Sequence, residues 1–141
     1  MHPQFLVKLT ILKPPNEVFD AVAGADELAR YFVEKSSGPL EEGRTARWKF
    51  PVRAEEFDVV VRNVVKDRRI AFEWPMHHQG YPTTVEIAFE PVGLRQTLVK
   101  ISESGWPDEA RGHELAYGNC GSWMRMMMCL KAYLEYGIDL R

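Results

Sequence analysis

Two sets of residues in this chain are of types that do chemistry. The first is scattered: Asn63, Glu103, His113 and Tyr117. An amide, a carboxyl, an imidazole and a phenol could hold or pass a proton if the fold brought them together. Glu103 continues the alternation of Val99 and Ile101 and should share their apolar face. A carboxyl there needs a partner or must stay neutral, which makes it a candidate acid or ligand anchor. A strand end open to solvent is the plain alternative. Asn63 interrupts the face of Phe57 and Val65 in the same way, either as a ligand contact or as a partner for nearby backbone. His113 and Tyr117 stand one helical turn apart. They either bring polar groups to a cavity mouth or lie on a half-buried flank.

The second set is compact. CGSWMRMMMCL, residues 120 to 130, holds four methionines and two cysteines around a tryptophan and an arginine. It could be a soft-metal site, a membrane-binding face or the flexible wall of an apolar pocket. Helical geometry separates these readings. At about 100° per residue, Met126, Met127 and Met128 fan over roughly 200° and cannot share one metal or one pocket. Met127 falls on the stripe of Trp123, Met124 and Met128 on one flank, and Met126 on the other. Copper(I) would suit Cys120 and Met124 as soft ligands, but no further residue joins them, and no metal or cofactor is expected. Cys120 and Cys129 would lie about 13 Å apart along a helix, beyond the roughly 7 Å a disulfide spans. Free cysteines fit a reducing, cytoplasmic setting. His77 and His78 are adjacent in a loop, without HxH or HxxxH spacing, and read as solvated or as a rim contact.

These side chains need elements to position them. The 141 residues suit one domain, 1–141, with a real core. A net charge of −2 argues against a nucleic-acid binder. No apolar run of about 18 residues exists, so no membrane span is expected. The alternating N-terminus does not read as a secretory signal. Gln4 to Leu12 alternates as a strand and stops at Pro14-Pro15. Asn16 and Glu17 suit a first helical turn, and a second short helix is expected from Asp26 to about Phe32. Period two then runs from Val33 to Glu103, broken at turn residues such as Lys66-Asp67-Arg68 and Pro91-Val92-Gly93. After Trp106-Pro107 the period returns to 3.6. Ala116, Cys120, Trp123, Met127, Leu130 and Leu134 form one stripe on a helix of about 28 residues ending at Gly137.

The order predicts an α+β fold. A curved antiparallel sheet of six to seven strands should wrap a long C-terminal helix, with two short helices after the first strand. Such a wrap leaves a cavity. Its expected lining is Trp48, Val61, Asn63, Phe72, Trp74, Val85, Ile87, Val99 and Glu103 from the sheet, and Tyr117, Cys120, Trp123, Met124 and Met127 from the helix. Gly118 and Gly121 lie off the Trp123 stripe. Glycine inside a helix costs about 1 kcal/mol against alanine, so another backbone should approach there, from the N-terminal helix or from a second copy in a homodimer.

LKPPNEVFDAVAGADELARYF resembles the opening of the SRPBCC or START-like superfamily, with its helix-grip fold. RIAFEWP, TTVEIAFEPVGLRQTLVKISESGWPDE and GSWMRMMMCLKAYLEYG resemble the family related to the activator of the heat-shock-protein-90 ATPase. The likeness covers nearly the whole chain, but only the C-terminal domain of the eukaryotic co-chaperone. Where many relatives carry a histidine two residues before the glycine-aromatic pair, this chain has Glu103. The resemblance implies the helix-grip fold and a chaperone as one partner. It brings no catalytic set.

Three functions follow as expectations. The first is binding of a small apolar or lipid-like molecule in the cavity, without catalysis. The second is a chaperone-regulating module. The third is a cyclase- or hydratase-type enzyme, which would require Asn63, Glu103, His113 and Tyr117 to converge.

Overall fold

The period-two segments pair into one seven-stranded sheet in a computed structural model that describes residues 1–75 and 80–141. His77 and His78 lie outside the described residues. The strands are β1 (Gln4–Ile11), β2 (Lys35–Ser36), β3 (Thr45–Lys49), β4 (Glu56–Val65), β5 (Arg69–Pro75), β6 (Pro82–Val92) and β7 (Gln96–Ser104). Their order across the sheet is β1-β7-β6-β5-β4-β3-β2, with every pairing antiparallel. Consecutive strands from β2 to β7 are neighbours, as short turns require. Only β1 crosses over, to pair with β7.

Two short helices, α1 (Pro15–Ala23) and α2 (Ala25–Leu28), follow β1. The second is shorter than the sequence predicts. The Leu28 carbonyl accepts from the N–H groups of Tyr31, Phe32 and Val33, so the helical ladder closes there in tight turns. The chain ends in α3 (Ala110–Tyr136), 27 residues long. Gly137 stops it in the left-handed region at φ 65°, and its N–H returns to the last helical turn.

The inner face of the sheet is apolar because alternate side chains point to it. Phe72, Val85, Ile87, Val99 and Ile101 are fully buried there in one cluster with Trp123, Met127 and Leu130 of α3. Alternation fails once, in β4. A bulge between Val61 and Asn63 shifts the register against β5. Beyond it Val64 packs on the core and Val65 is exposed.

Polar contacts tether α3 to the sheet. Near its C-terminal end Lys131 Nζ reaches Thr10 O at 2.9 Å, and Glu135 accepts the Leu12 N–H at 2.8 Å. At its start, Pro107 folds closely over Gly112. A Cβ at Gly112 would meet the Pro107 carbonyl oxygen at 2.1 Å, far inside contact distance. Gly112→Ala is therefore expected to destabilise the fold by about 1–3 kcal/mol as overpacking. Urea denaturation measures this, and a change below about 0.5 kcal/mol would contradict the close approach.

Candidate functional site

Two strands and one helix bring their side chains to Glu103. It lies near the end of β7, with Val85 of β6 and Phe5 of β1 as its register partners. Trp74 of β5 stands opposite Thr83 of β6. Asn119 and Trp123, one turn apart on α3, face the same point. The carboxylate is 1% exposed. Its Oε1 accepts the indole N–H of Trp123 at 2.8 Å and the Asn119 amide at 3.2 Å. Its Oε2 accepts the Trp74 indole N–H at 3.0 Å, the Thr83 hydroxyl at 2.6 Å and the same Asn119 amide at 3.2 Å. A carboxylate is acceptor-only, with room for about four donors. Among the described residues four side-chain donors converge on it, and no cation is among them.

Beside this network opens a pocket of about 460 Å³. One wall is aromatic: Phe32 after α2, Phe50 and Phe57 flanking the β3–β4 loop, and Trp74 of β5. The rings interlock, with centroids 5.2 Å apart for Phe32–Phe50, 5.7 Å for Phe50–Phe57 and 5.5 Å for Trp74–Trp123. The other wall is one flank of α3: Asn119, Ser122, Trp123, Arg125, Met126 and Cys129. Its lip includes Val52, fully exposed and at φ 68°, a strained conformation for a β-branched residue. Burial pushes the Cys129 thiol up against a smaller opposing pull from Arg125, so it lines the pocket as a small neutral group.

Two expected cavity residues, Trp74 and Trp123, line this pocket. Val61, Phe72, Val85, Ile87, Val99, Met127 and Trp48 are buried in the core instead. There α3 sits on the sheet and the middle of the wrap is filled. Trp48 packs edge-on to Phe32, Phe50, Phe72 and Trp74. Its buried indole N–H has no acceptor among the described residues. Glu103 lies behind the pocket floor, covered by Trp74, Asn119 and Trp123.

Asn63 is not on the inner face, because the β4 bulge turns it away. It hydrogen-bonds Glu42 at 3.2 Å and accepts from Arg69. Tyr117 is 73% exposed and lies off the pocket. His113 sits near the helix start, 2.9 Å from Asp108, whose carboxyl is pulled to about 2 chiefly by that hydrogen bond and then by the terminal amine of Met1. The four candidate acid–base groups therefore do not meet.

Cys120 and Met124 lie on the other flank of α3, half-buried, with Met124 packed on the core. The pocket instead meets Asn119, Ser122, Met126 and Cys129, spaced three to four residues apart and offset by about 100° from the core stripe. Met126 is 2% exposed, buried rather than a free flank, whereas Met128 is exposed. A Cβ at Gly118 or Gly121 would meet nothing within 4 Å beyond the helix itself, so among the described residues no other backbone approaches them. Sequence reasoning missed Asn119, Ser122, Arg125, Met126 and Cys129. Their signal was a flank mixing polar and soft apolar residues at helical spacing. Among the described residues no three His, Cys, Asp or Glu side chains gather as a metal site, and no helix is long and apolar enough to cross a membrane.

The sequence matches the model of a family described as activator of Hsp90 ATPase homolog 1-like protein over residues 13–135. No curated protein matches the chain. Among solved structures, protein SSP2350 from Staphylococcus saprophyticus superposes with a TM-score of 0.82 at 24% identity, over 99% of this chain and 96% of that one. DynU16, from the dynemicin biosynthetic locus, also gives 0.82 at 24% identity, over 98% of this chain but 49% of its own. The Aha1 dimer from Colwellia psychrerythraea gives 0.79 at 20% identity, over 96% and 98%. At these identities the likeness is one of fold.

Replacing Glu103 tests the network. Glu103→Gln turns one acceptor oxygen into an NH₂ donor facing N–H donors. At least one buried donor then loses its partner, for an expected loss of about 1–3 kcal/mol. Glu103→Leu orphans all four donors and should cost more. Urea denaturation of both variants reads the difference; equal stability of Glu103→Gln and the wild type would show that the network adds nothing.

Proposed function

The chain belongs to the activator of Hsp90 ATPase homolog 1-like family, and from that premise we propose that it binds a small apolar molecule in the pocket beside Trp74 and Trp123. The observation carrying this reading is the pocket itself. Its volume of about 460 Å³ lies within the roughly 300–1,000 Å³ usual for small-molecule sites. Its walls are aromatic rings, a methionine and a neutral thiol, with a few polar groups at the edge. The indole N–H groups of Trp74 and Trp123 are spent on Glu103, so these two residues offer apolar surface to a guest.

Filling the pocket is the direct test. Ser122 is exposed on the pocket flank of α3, where a large ring can enter without disturbing the core. The neutral fluorophore N-phenyl-1-naphthylamine should bind the wild type with enhanced emission and quench the nearby tryptophans. Ser122→Trp should weaken it by about tenfold or more, equivalent to at least about 1.4 kcal/mol. Equal binding by both proteins would place the probe elsewhere and remove the reading.

The family's description favours a second reading, a regulator of an Hsp90-type chaperone. Adding the purified chain to such a chaperone should then change its ATPase rate. An unchanged rate at saturating chain would remove this reading while leaving the pocket reading standing.

A further inference from the structure

We infer that the ligand of this pocket is an amphipathic anion, held with its acidic head at the mouth and its apolar body against Trp74 and Trp123. The inference rests on the apolar pocket proposed above and adds the ligand's charge and orientation. Among the described residues, the charged side chains lining the pocket are all arginines: Arg53, Arg125 and Arg141. Each plays a different part. Arg141 is held by Asp139 at 3.0 Å and donates to the Val33 carbonyl at 2.8 Å, so it is already committed. Arg53 is only loosely paired, 3.8 Å from Glu55. Arg125 makes no ion pair and no hydrogen bond among the described residues. It stands exposed on α3, one turn before Cys129 and beside the buried Met126.

Two guanidiniums with little or no carboxylate compensation at the edge of an apolar cleft attract an anion. A guanidinium offers a planar fork that matches a carboxylate, sulfonate or phosphate, and a cleft with low-dielectric walls focuses that attraction. The orientation comes from the opposite end. The Glu103 carboxylate lies behind the floor with no cation partner among the described residues, and floor residues themselves donate to it. An acidic head pushed inward would meet that charge, with the two indole donors of the floor already engaged. At the mouth it finds Arg125 and Arg53. An alkyl or aryl acid with its tail inward satisfies both ends, whereas a neutral molecule uses only the floor.

Displacement of bound N-phenyl-1-naphthylamine by decanoate and by 1-decanol separates the claims. The two competitors share a chain length and differ in head charge. Decanoate is expected to displace the probe at about tenfold lower concentration than the alcohol, with the ratio shrinking in high salt. The ratio should fall to about twofold or less in the Arg53→Gln, Arg125→Gln double variant and fall only part-way in Arg125→Lys, which keeps the charge but loses the planar fork. Circular dichroism melts check that these exposed substitutions leave the fold intact. A ratio near one in the wild type, or one unmoved in the double variant, overturns the inference while the apolar pocket stands. No binding of the neutral probe removes the pocket reading and the inference with it.

Discussion

The arrangement depends on one carboxylate that meets no cation among the described residues. Glu103 is buried inside an apolar wrap, where an unpaired charge is costly. Trp74, Thr83, Asn119 and Trp123 supply what a lysine or arginine would otherwise supply. Hydrogen bonds to a charged group are worth about 1.5–3 kcal/mol each when geometry is good. Here the donors come from β5, β6 and α3, while the acceptor is on β7. The bonds therefore form only when the helix sits at one height and one rotation on the sheet. Apolar packing alone tolerates sliding. A saturated polar network tolerates much less.

Fixing the helix in this way also decides where empty space remains. With Trp123 drawn onto Glu103, the core stripe of α3 seats on Phe72, Val85, Ile87 and Val99 and fills the middle of the wrap. The space the curved sheet leaves is pushed to one side, under the β3–β4 loop and against the neighbouring flank of the helix. Each indole then has two roles. Its N–H edge closes the network and its ring contributes to the pocket wall. The floor is apolar because both indole N–H groups face away from it.

Much of the fold was legible because burial writes its period into the sequence. Phe72-Trp74 and Val85-Ile87-Phe89 alternate as strands must. The stripe from Ala116 to Leu134 repeats as a helix must, and Gly137 marks its end. The site was less legible, for local reasons. A β-bulge leaves no mark in the pattern of Phe57 to Val65, yet it moves Asn63 from the inner face to the outer one. The stripe on α3 has two flanks, and the one bearing Cys120 and Met124 looks the more apolar. What selects the other is the approach of the β3–β4 loop, a contact between residues some seventy positions apart. Glu103 stood out as an anomaly on an apolar face, but its donors could not be named. Three of them, Trp74, Thr83 and Trp123, read as ordinary members of their own apolar faces, and Asn119 lies on the flank that sequence reasoning set aside.

The network and the pocket are one object seen from two sides, and this couples stability to occupancy. A molecule that binds only the folded state adds stability in proportion to the logarithm of its saturation. Here it would do so by pressing on Trp74, Asn119 and Trp123, the groups that hold Glu103. Any movement of the helix that opened the pocket would stretch hydrogen bonds to a buried charge, and any loosening of that charge would let the helix move. On the ligand reading proposed above, a guest would have to fit the pocket nearly as it stands and enter past the β3–β4 loop, where Val52 holds a strained, exposed conformation. On that same reading, ligand choice would rest with the lip and with Ser122 and Arg125 of the helix flank, residues that make no hydrogen bond to Glu103 among the described residues.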